Sequence, residues 1–326
     1  MSSSSTATTV ARSNSGSGNR KPASFSAGTH LSSTKVHTST PLPPATQQIE
    51  SAKRLAAYAA VQRYVKPEHK IIGIGSGTTI PYCIEALLKQ GEEANAERWF
   101  VPTGFQSKEL IVKAGLSLGD VDQFPQIDIT IDGADEVDHA LNAIKGGGAC
   151  HLREKVLAEA AKTFVIIADA RKNSEVLGTK WKQGVPIEVA PFAWASVLQK
   201  LQKMGCTQPK LRMGKAKAGP VVTDNGNFVI DSPWDEVYML DPSELLHRIK
   251  MLTGVLEVGL FCSMASAAFF GQEDGTVLVR YADGVRVFLV YSSDYATMAN
   301  NYVFVSHQRQ ETIDTVPGID DDVTVA

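Results

Sequence analysis

Between Lys70 and Asp169, four short apolar runs alternate with helical stretches, and this rhythm limits the fold more than any other feature of the chain. The runs are Lys70–Ile74, Trp99–Pro102, Ile127–Ile131 and Phe164–Ala168, each strand-sized, with glycine or an acid within two residues of its end. Ile49–Val65, with Leu55, Ala56, Ala59, Val61 and Val65 at helical spacing, reads as a helix that Pro67 ends. Thr79–Gln90, Phe105–Ala114 and Ala149–Ala161 read as further helices. Strands that alternate with helices predict an α/β fold: a mainly parallel sheet with helices on both faces. Ligands of such sheets bind beyond the carboxyl ends of the strands, where the polar clusters of this chain fall.

From Gly184 the rhythm changes. Val185–Val189 reads as a strand and Ala193–Met204 as a helix. Val221–Asp231 reads as a hairpin about a two-residue Asn225-Gly226 turn, and Asp241-Pro-Ser-Glu opens another helix. Residues 184–253 therefore form a small α+β unit of βαββα type. After Gly254 the strands resume and are expected to return to the first sheet. Over 282–326, Val285–Tyr291 is strand-like and Asp320–Asp322 is acidic; this extension has no assigned role. Residues 1–47 are Ser/Thr-rich, with Arg12, Arg20, Lys21 and Lys35 but no Asp or Glu. So little apolar surface does not offset the entropy of ordering, which predicts a disordered tail. An organelle transit peptide is the alternative reading.

The balance of 32 basic against 35 acidic residues, net charge -3, argues against a chain that coats nucleic acid. No apolar run approaches the roughly 18–20 residues of a membrane span. Cys83, Cys150, Cys206 and Cys262 are far apart and form no CxxC, which argues against a disulfide scaffold or structural zinc. A reducing compartment, the cytoplasm, is the expectation. The seven histidines form no HExxH, so no tightly held metal is expected.

Four segments carry chemistry. Gly73-Ile-Gly-Ser-Gly-Thr-Thr79 joins a strand to a helix, where small residues let backbone N–H groups approach an anion and the helix dipole favours it. Thr78 replaces the third glycine of a dinucleotide fingerprint, and no lysine follows Gly77 as a P-loop requires, so a small phosphate fits better than NAD or ATP. Asp132 and Asp135 flank Gly133-Ala134 at a strand end. Such a pair could bind sugar hydroxyls, hold Mg²⁺, divide acid and base roles, or form a solvated turn, to which Glu136 and Asp138 are assigned. Lys145-Gly146-Gly147-Gly148 places a cation beside a glycine run, suited to stabilising an oxyanion. Glu154, in the second turn of the next helix, is a candidate general base or an ordinary surface glutamate. Adjacent Cys150 and His151 point about 100° apart on a helix, which argues against a Cys–His nucleophile. Lys53 and Lys172 could reach a phosphate, although solvent is the default place for a lone lysine.

Taken in order, Gly73–Thr79, Ile131–Asp138, Ile144–Ala149, Arg153-Glu-Lys155, Val185–Val189, Val222–Phe228 and Gly254–Phe261 resemble the type A ribose-5-phosphate isomerase family over about residues 50–281. The family often has Thr-Gly-Ser-Thr where this chain has Ser76-Gly-Thr-Thr, which keeps the hydroxyls. The resemblance implies a Rossmann-like domain over 48–183 and 254–281, with an inserted, ferredoxin-like α+β domain over 184–253. It implies cofactor-independent interconversion of ribose 5-phosphate and ribulose 5-phosphate through an enediolate, in the pentose phosphate pathway. On matching positions, Glu154 would move the proton and Lys145 would offset the enediolate charge. Asp132 and Asp135 would bind hydroxyls and assist ring opening. Ser76, Gly77, Thr78 and Thr79 would hold the phosphate, with Lys53 and Lys172 as weaker partners. Gly133, Ala134, Gly146, Gly147 and Gly148 would line the substrate site. The family is usually dimeric or tetrameric, and no cofactor, metal, nucleic acid or membrane partner is implied. A CoA transferase on a related fold, or a non-catalytic sugar-phosphate sensor, is the alternative.

Overall fold

The computed structural model describes residues 44–290 and the strand at 303–305. Most of the tail expected over 1–47, and the acidic Asp320–Asp322, lie outside the described residues. The first helix, α1, spans Pro44–Tyr64, so it begins before Gln48; Pro44 suits a first helical turn, where its missing N–H costs nothing. There follow β1 (Ile71–Ile74), α2 (Ile80–Leu88), α3 (Glu92–Asn95), β2 (Trp99–Pro102), α4 (Phe105–Lys113) and β3 (Ile127–Asp132). Next come the two-residue strands β4 (Glu136–Val137) and β5 (Ala143–Ile144), then α5 (His151–Ala160) and β6 (Ala161–Asp169).

The inserted unit holds β7 (Val185–Val189), α6 (Trp194–Lys203), β8 (Lys210–Leu211), β9 (Phe228–Ser232), α7 (Glu236–Met239), α8 (Pro242–Lys250) and β10 (Val255–Val258). Beyond it lie β11 (Leu260–Phe261), β12 (Ala267–Gly271), β13 (Thr276–Tyr281), β14 (Arg286–Val290) and β15 (Val303–Val305).

The main sheet runs β15-β14-β13-β12-β6-β3-β1-β2. From β2 to β12 neighbours are parallel, and β13, β14 and β15 are added antiparallel. The mainly parallel α/β architecture expected from the sequence is therefore present. Part of the C-terminal extension has a place: β14 and β15 lengthen this sheet at its antiparallel edge.

Alternation along β6 explains the two covered faces. Val165 and Ile167 point into one core with α1 and α2, while Phe164, Ile166 and Ala168 point into another with Ala158 of α5.

The inserted sheet has the order β10-β7-β9-β8, and all its pairs are antiparallel. Its fourth strand, β10, pairs with β7 and not with the main sheet. The unit is thus βαββαβ and closes at Val258, beyond the expected end at 253. The hairpin turn also differs in type. Thr223 N–H donates to Asn227 O and Gly226 N–H to Thr223 O, both 2.9 Å. This makes a three-residue loop with Gly226 at φ +79°, where expectation placed a two-residue turn. Asp241 caps α8 as its sequence suggests, its Oδ1 accepting from Glu244 N–H at 3.0 Å.

Candidate active site

The carboxyl ends of β1, β3 and β6 meet β5 and α5 around a cavity of about 570 Å³. Glycine brings the first two together. A Cβ on Gly75 would lie 1.9 Å from Asp132 Oδ1, and one on Gly73 would lie 2.2 Å from Thr130 Oγ1. These two glycines serve close β1–β3 packing, whereas Gly77, at φ +111°, makes the turn itself.

The loop that follows is held from two sides. Ser76 N–H donates to Asp132 Oδ1 at 2.9 Å. Gly77 N–H donates to Gln106 Oε1 at 2.8 Å, and Gln106 Nε2 donates back to Gly77 O at 3.3 Å. Ser76 Oγ donates to Glu154 Oε1, which ties the loop to α5.

Lys145 stands at the centre, 2% exposed. Its Nζ is 2.9 Å from Asp132 Oδ2 and 3.3 Å from Glu154 Oε2, and it donates to Gly133 O at 2.5 Å. Burial works against its charge, but Asp132 and Glu154 overcome this and hold its pKa above the ordinary lysine value. Asp132 is fully buried; burial pushes its carboxyl up to about 7, Lys145 pulls it down and Glu154 adds to the rise. Asp135 is also raised by burial, while the Gly147 N–H at 2.7 Å and Lys145 act in the opposite sense. The two acids nearest the Lys145 ammonium, Asp132 and Glu154, are both buried, so this cluster holds more acidic than basic groups.

Of the residues singled out in the sequence, Ser76, Gly77, Thr78, Thr79, Gly133, Ala134, Asp135, Lys145, Gly146, Gly147, Gly148, Glu154 and Lys172 all line the cavity. Asp132 lies directly behind them, its carboxylate joining Ser76 and Lys145. Lys172 sits over the Trp181 ring, 5.3 Å from its centroid. Lys53 departs from expectation: it is buried, pairs with Glu50 at 2.7 Å one turn back on α1, and is not among the lining residues. Glu136 is not in a solvated turn. It is fully buried and accepts from Ser174 Oγ at 2.6 Å and from the N–H groups of Gly178, Thr179, Lys180 and Trp181. It thereby organises the loop that carries Trp181 to Lys172. The Cys150 thiol lines the cavity and is pushed up to about 12 by burial, whereas the His151 ring is buried beneath Gly146 and stays neutral, burial pushing it down to about 3.

Sequence reasoning did not assign the polar lining residues Gln106, Asp224 and Asp169, nor the apolar Phe105 and Ala168. Gln106 lies in the first turn of α4, Asp224 comes from the inserted hairpin and accepts from Phe105 N–H at 2.8 Å, and Asp169 is held by Arg171 at 2.6 Å. Asp169 alone had a local signal, as the acid at the end of a strand.

This fold and site define an α/β protein with a cluster of buried acids and one buried lysine in a cavity at the carboxyl ends of its parallel strands. The family model for ribose 5-phosphate isomerase A (phosphoriboisomerase A) matches residues 99–275. The ribose-5-phosphate isomerase of Mycosarcoma maydis is 70% identical over 236 residues, which is 72% of this chain and 82% of that one. That of Cryptococcus neoformans var. neoformans serotype D (strain JEC21) is 66% identical over 258 residues, covering 77% and 85%. A D-ribose-5-phosphate isomerase solved in complex with phospho-erythronic acid matches with a TM-score of 0.66 and 35% identity, over 72% of this chain and 99% of that one. The chain belongs to the ribose 5-phosphate isomerase A family. The transferase and sensor alternatives are not favoured, since the relatives at 66% and 70% identity are isomerases.

Proposed function

We propose that this chain interconverts D-ribose 5-phosphate and D-ribulose 5-phosphate through an enediolate, with Glu154 as the base. One observation carries the reading: a buried lysine, Lys145, with its Nζ 3.3 Å from a buried glutamate, in a cavity that also holds a phosphate-type loop at a helix N-terminus.

The aldose carries a carbonyl at C1 and a hydrogen at C2. Glu154 removes the C2 proton, and the electron pair moves into a C1–C2 double bond as charge builds on O1. Lys145 stabilises that charge, worth most where water is excluded. Glu154 then returns the proton to C1, while the hydroxyl proton passes from O2 to O1 and leaves a carbonyl at C2. A carboxylate suits this work because it accepts and gives back the same proton. Asp135, which lines the cavity, holds sugar hydroxyls and assists ring opening, whereas Asp132, buried behind the lining, is taken up by Ser76 and Lys145 and positions them instead. Ser76, Gly77, Thr78 and Thr79 hold the phosphate, and Lys172, fixed over Trp181, adds charge. The fixed ammonium of Lys145 does what a Lewis acid would do, so the reading calls on no metal or cofactor. The same reading has the enzyme act as a homodimer or homotetramer, which the family resemblance supports and light scattering tests; the cytoplasmic location rests on the scattered cysteines, and imaging of a fluorescently tagged chain tests it.

The test is ribose 5-phosphate conversion in EDTA by wild type and Glu154→Gln. The variant should bind substrate within a few fold of wild type and turn over ~10²–10⁴ more slowly. Undiminished turnover removes Glu154 from the mechanism.

A further inference from the structure

The Lys145–Gly148 loop is held from outside the main sheet. Lys145 N–H donates to Gly259 O at 2.9 Å, and Gly259 N–H donates to Pro186 O at 2.7 Å, both just where the inserted domain begins and ends. The stronger hold comes from Arg212. One of its guanidinium nitrogens, Nη1, donates to Gly146 O at 2.8 Å and to Gly147 O at 3.0 Å. Its Nε donates to Asp231 Oδ2 at 2.9 Å, and its Nη2 pairs with Asp231 Oδ1. The planar fork is therefore spent on one carboxylate and two carbonyls at once, which a lysine does not reproduce. Arg212 is itself anchored. Its N–H donates to Val229 O and its carbonyl accepts from Val221 N–H, both at 2.8 Å, while Asp231 also accepts from Gln183 at 3.0 Å.

What this grip reaches is the reacting end of the cavity. The Gly146–Gly147 peptide has its oxygen on Arg212 and its N–H on Asp135 Oδ2, 2.7 Å away. Because the peptide is planar, pinning the oxygen fixes the direction of that N–H, and charges of opposite sign at its two ends polarise it. Gly147 also leaves no space for adjustment: a Cβ there would be 2.5 Å from Asp135 Oδ1. The next peptide has its oxygen on the same guanidinium, which turns the Gly148 N–H away from Arg212.

We infer that Arg212, on the inserted domain, is a positioning residue for the proton transfer, setting Asp135 and the loop beside Lys145 through the Gly146–Gly147 peptide. The inference rests on the isomerase reading. Arg212 touches neither the phosphate loop nor Glu154, so its loss acts on the chemical step and spares phosphate binding. A misplacement of about 1 Å at a reacting centre costs on the order of 10²-fold in rate.

The experiment measures kcat and KM for ribose 5-phosphate and inhibition by inorganic phosphate, in the full chain and in R212A, R212K and D231N. R212A should lower kcat by roughly 10–100-fold, with phosphate inhibition within about twofold of wild type. R212K restores the charge without the fork and should recover less than half of the loss. D231N keeps the guanidinium but loosens its anchor and should fall between; it serves as the test if R212A does not fold. A folded R212A or D231N with wild-type kcat overturns the inference, as does a fall in phosphate affinity that matches the fall in kcat, the mark of a merely structural role. A wild type that does not convert ribose 5-phosphate overturns the isomerase reading, and this inference with it.

Discussion

Two glycine-rich loops face the same cavity, and they are built in different ways. The Gly73–Thr79 loop belongs to the parallel sheet: it leaves β1, is braced by Asp132 at the end of the neighbouring β3, and runs into α2. The Lys145–Gly148 loop leaves a two-residue strand and is held by Gly259 and Arg212, the latter 66 residues away from Gly146 along the chain. The first loop presents a helix N-terminus, which suits a fixed anion whatever the rest of the ligand does. The second presents one buried ammonium among carboxylates, where small displacements change charge stabilisation in a medium of low dielectric. A fold can thus carry its anchoring function in local backbone and its chemistry in long-range packing.

Lys145→Ala should produce the largest effect. It removes the cation of the second loop and leaves the first intact, so turnover should fall by ~10²–10³ while inhibition by inorganic phosphate stays near wild type. Steady-state kinetics with phosphate as competitor checks both. A matched loss of phosphate affinity would break the division between the loops.

Asp132 is the residue the two loops share, since Oδ1 accepts from Ser76 and Oδ2 lies beside Lys145. Burial raises its carboxyl to about 7, against about 3.9 in an unfolded chain. Between these values the folded protein holds a proton that the unfolded chain has lost, so this group contributes less to stability as pH rises toward 7. Asp132→Asn carries no such proton. The Tm of wild type minus that of D132N should therefore fall by about a few degrees between pH 5 and pH 8, by thermal melts across that range. A difference that is flat or grows with pH would show that Lys145 keeps Asp132 ionised throughout.

The division between the loops also explains what could be read from the chain. The parallel strands, their helices and the Gly73–Thr79 turn were legible because period and turn chemistry are local signals. Even there the reason for Gly73 and Gly75 was hidden: they make space for Thr130 and Asp132, which only strand pairing reveals. Lys145, Asp135 and Glu154 were visible as residue types, but the ion pairs that define their work were not. Arg212 had no signal at all, being one arginine at the edge of a two-residue strand. Nor did Asp224, whose bond to Phe105 spans 119 residues. Lys53 failed in the other direction: a cation at a promising place proved to be spent on Glu50, a neighbour at i−3 on the same helix. The closing strand β10 was expected to return to the first sheet, because a local pattern marks a strand without saying which sheet it joins, and only its antiparallel pairing with β7 assigns it.

The smallest effect sharpens the comparison from the side of the first loop. Gln106 clamps Gly77 at both its N–H and its C=O, and so holds the φ of +111° that the turn requires. The clamp is exposed, so its two bonds compete with water and each contributes on the order of 1 kcal/mol or less. Gln106→Ala frees one N–H for the phosphate but leaves the turn to be ordered when the ligand binds. Ordering a loop at binding lowers affinity without touching the transition state, which is the signature of lost uniform binding. Q106A should therefore raise KM for ribose 5-phosphate by roughly threefold, with kcat within about twofold of wild type. If kcat falls instead, the anchoring loop also controls the geometry of proton transfer, most directly through the bond from Ser76 Oγ to Glu154, and the two loops act as one device.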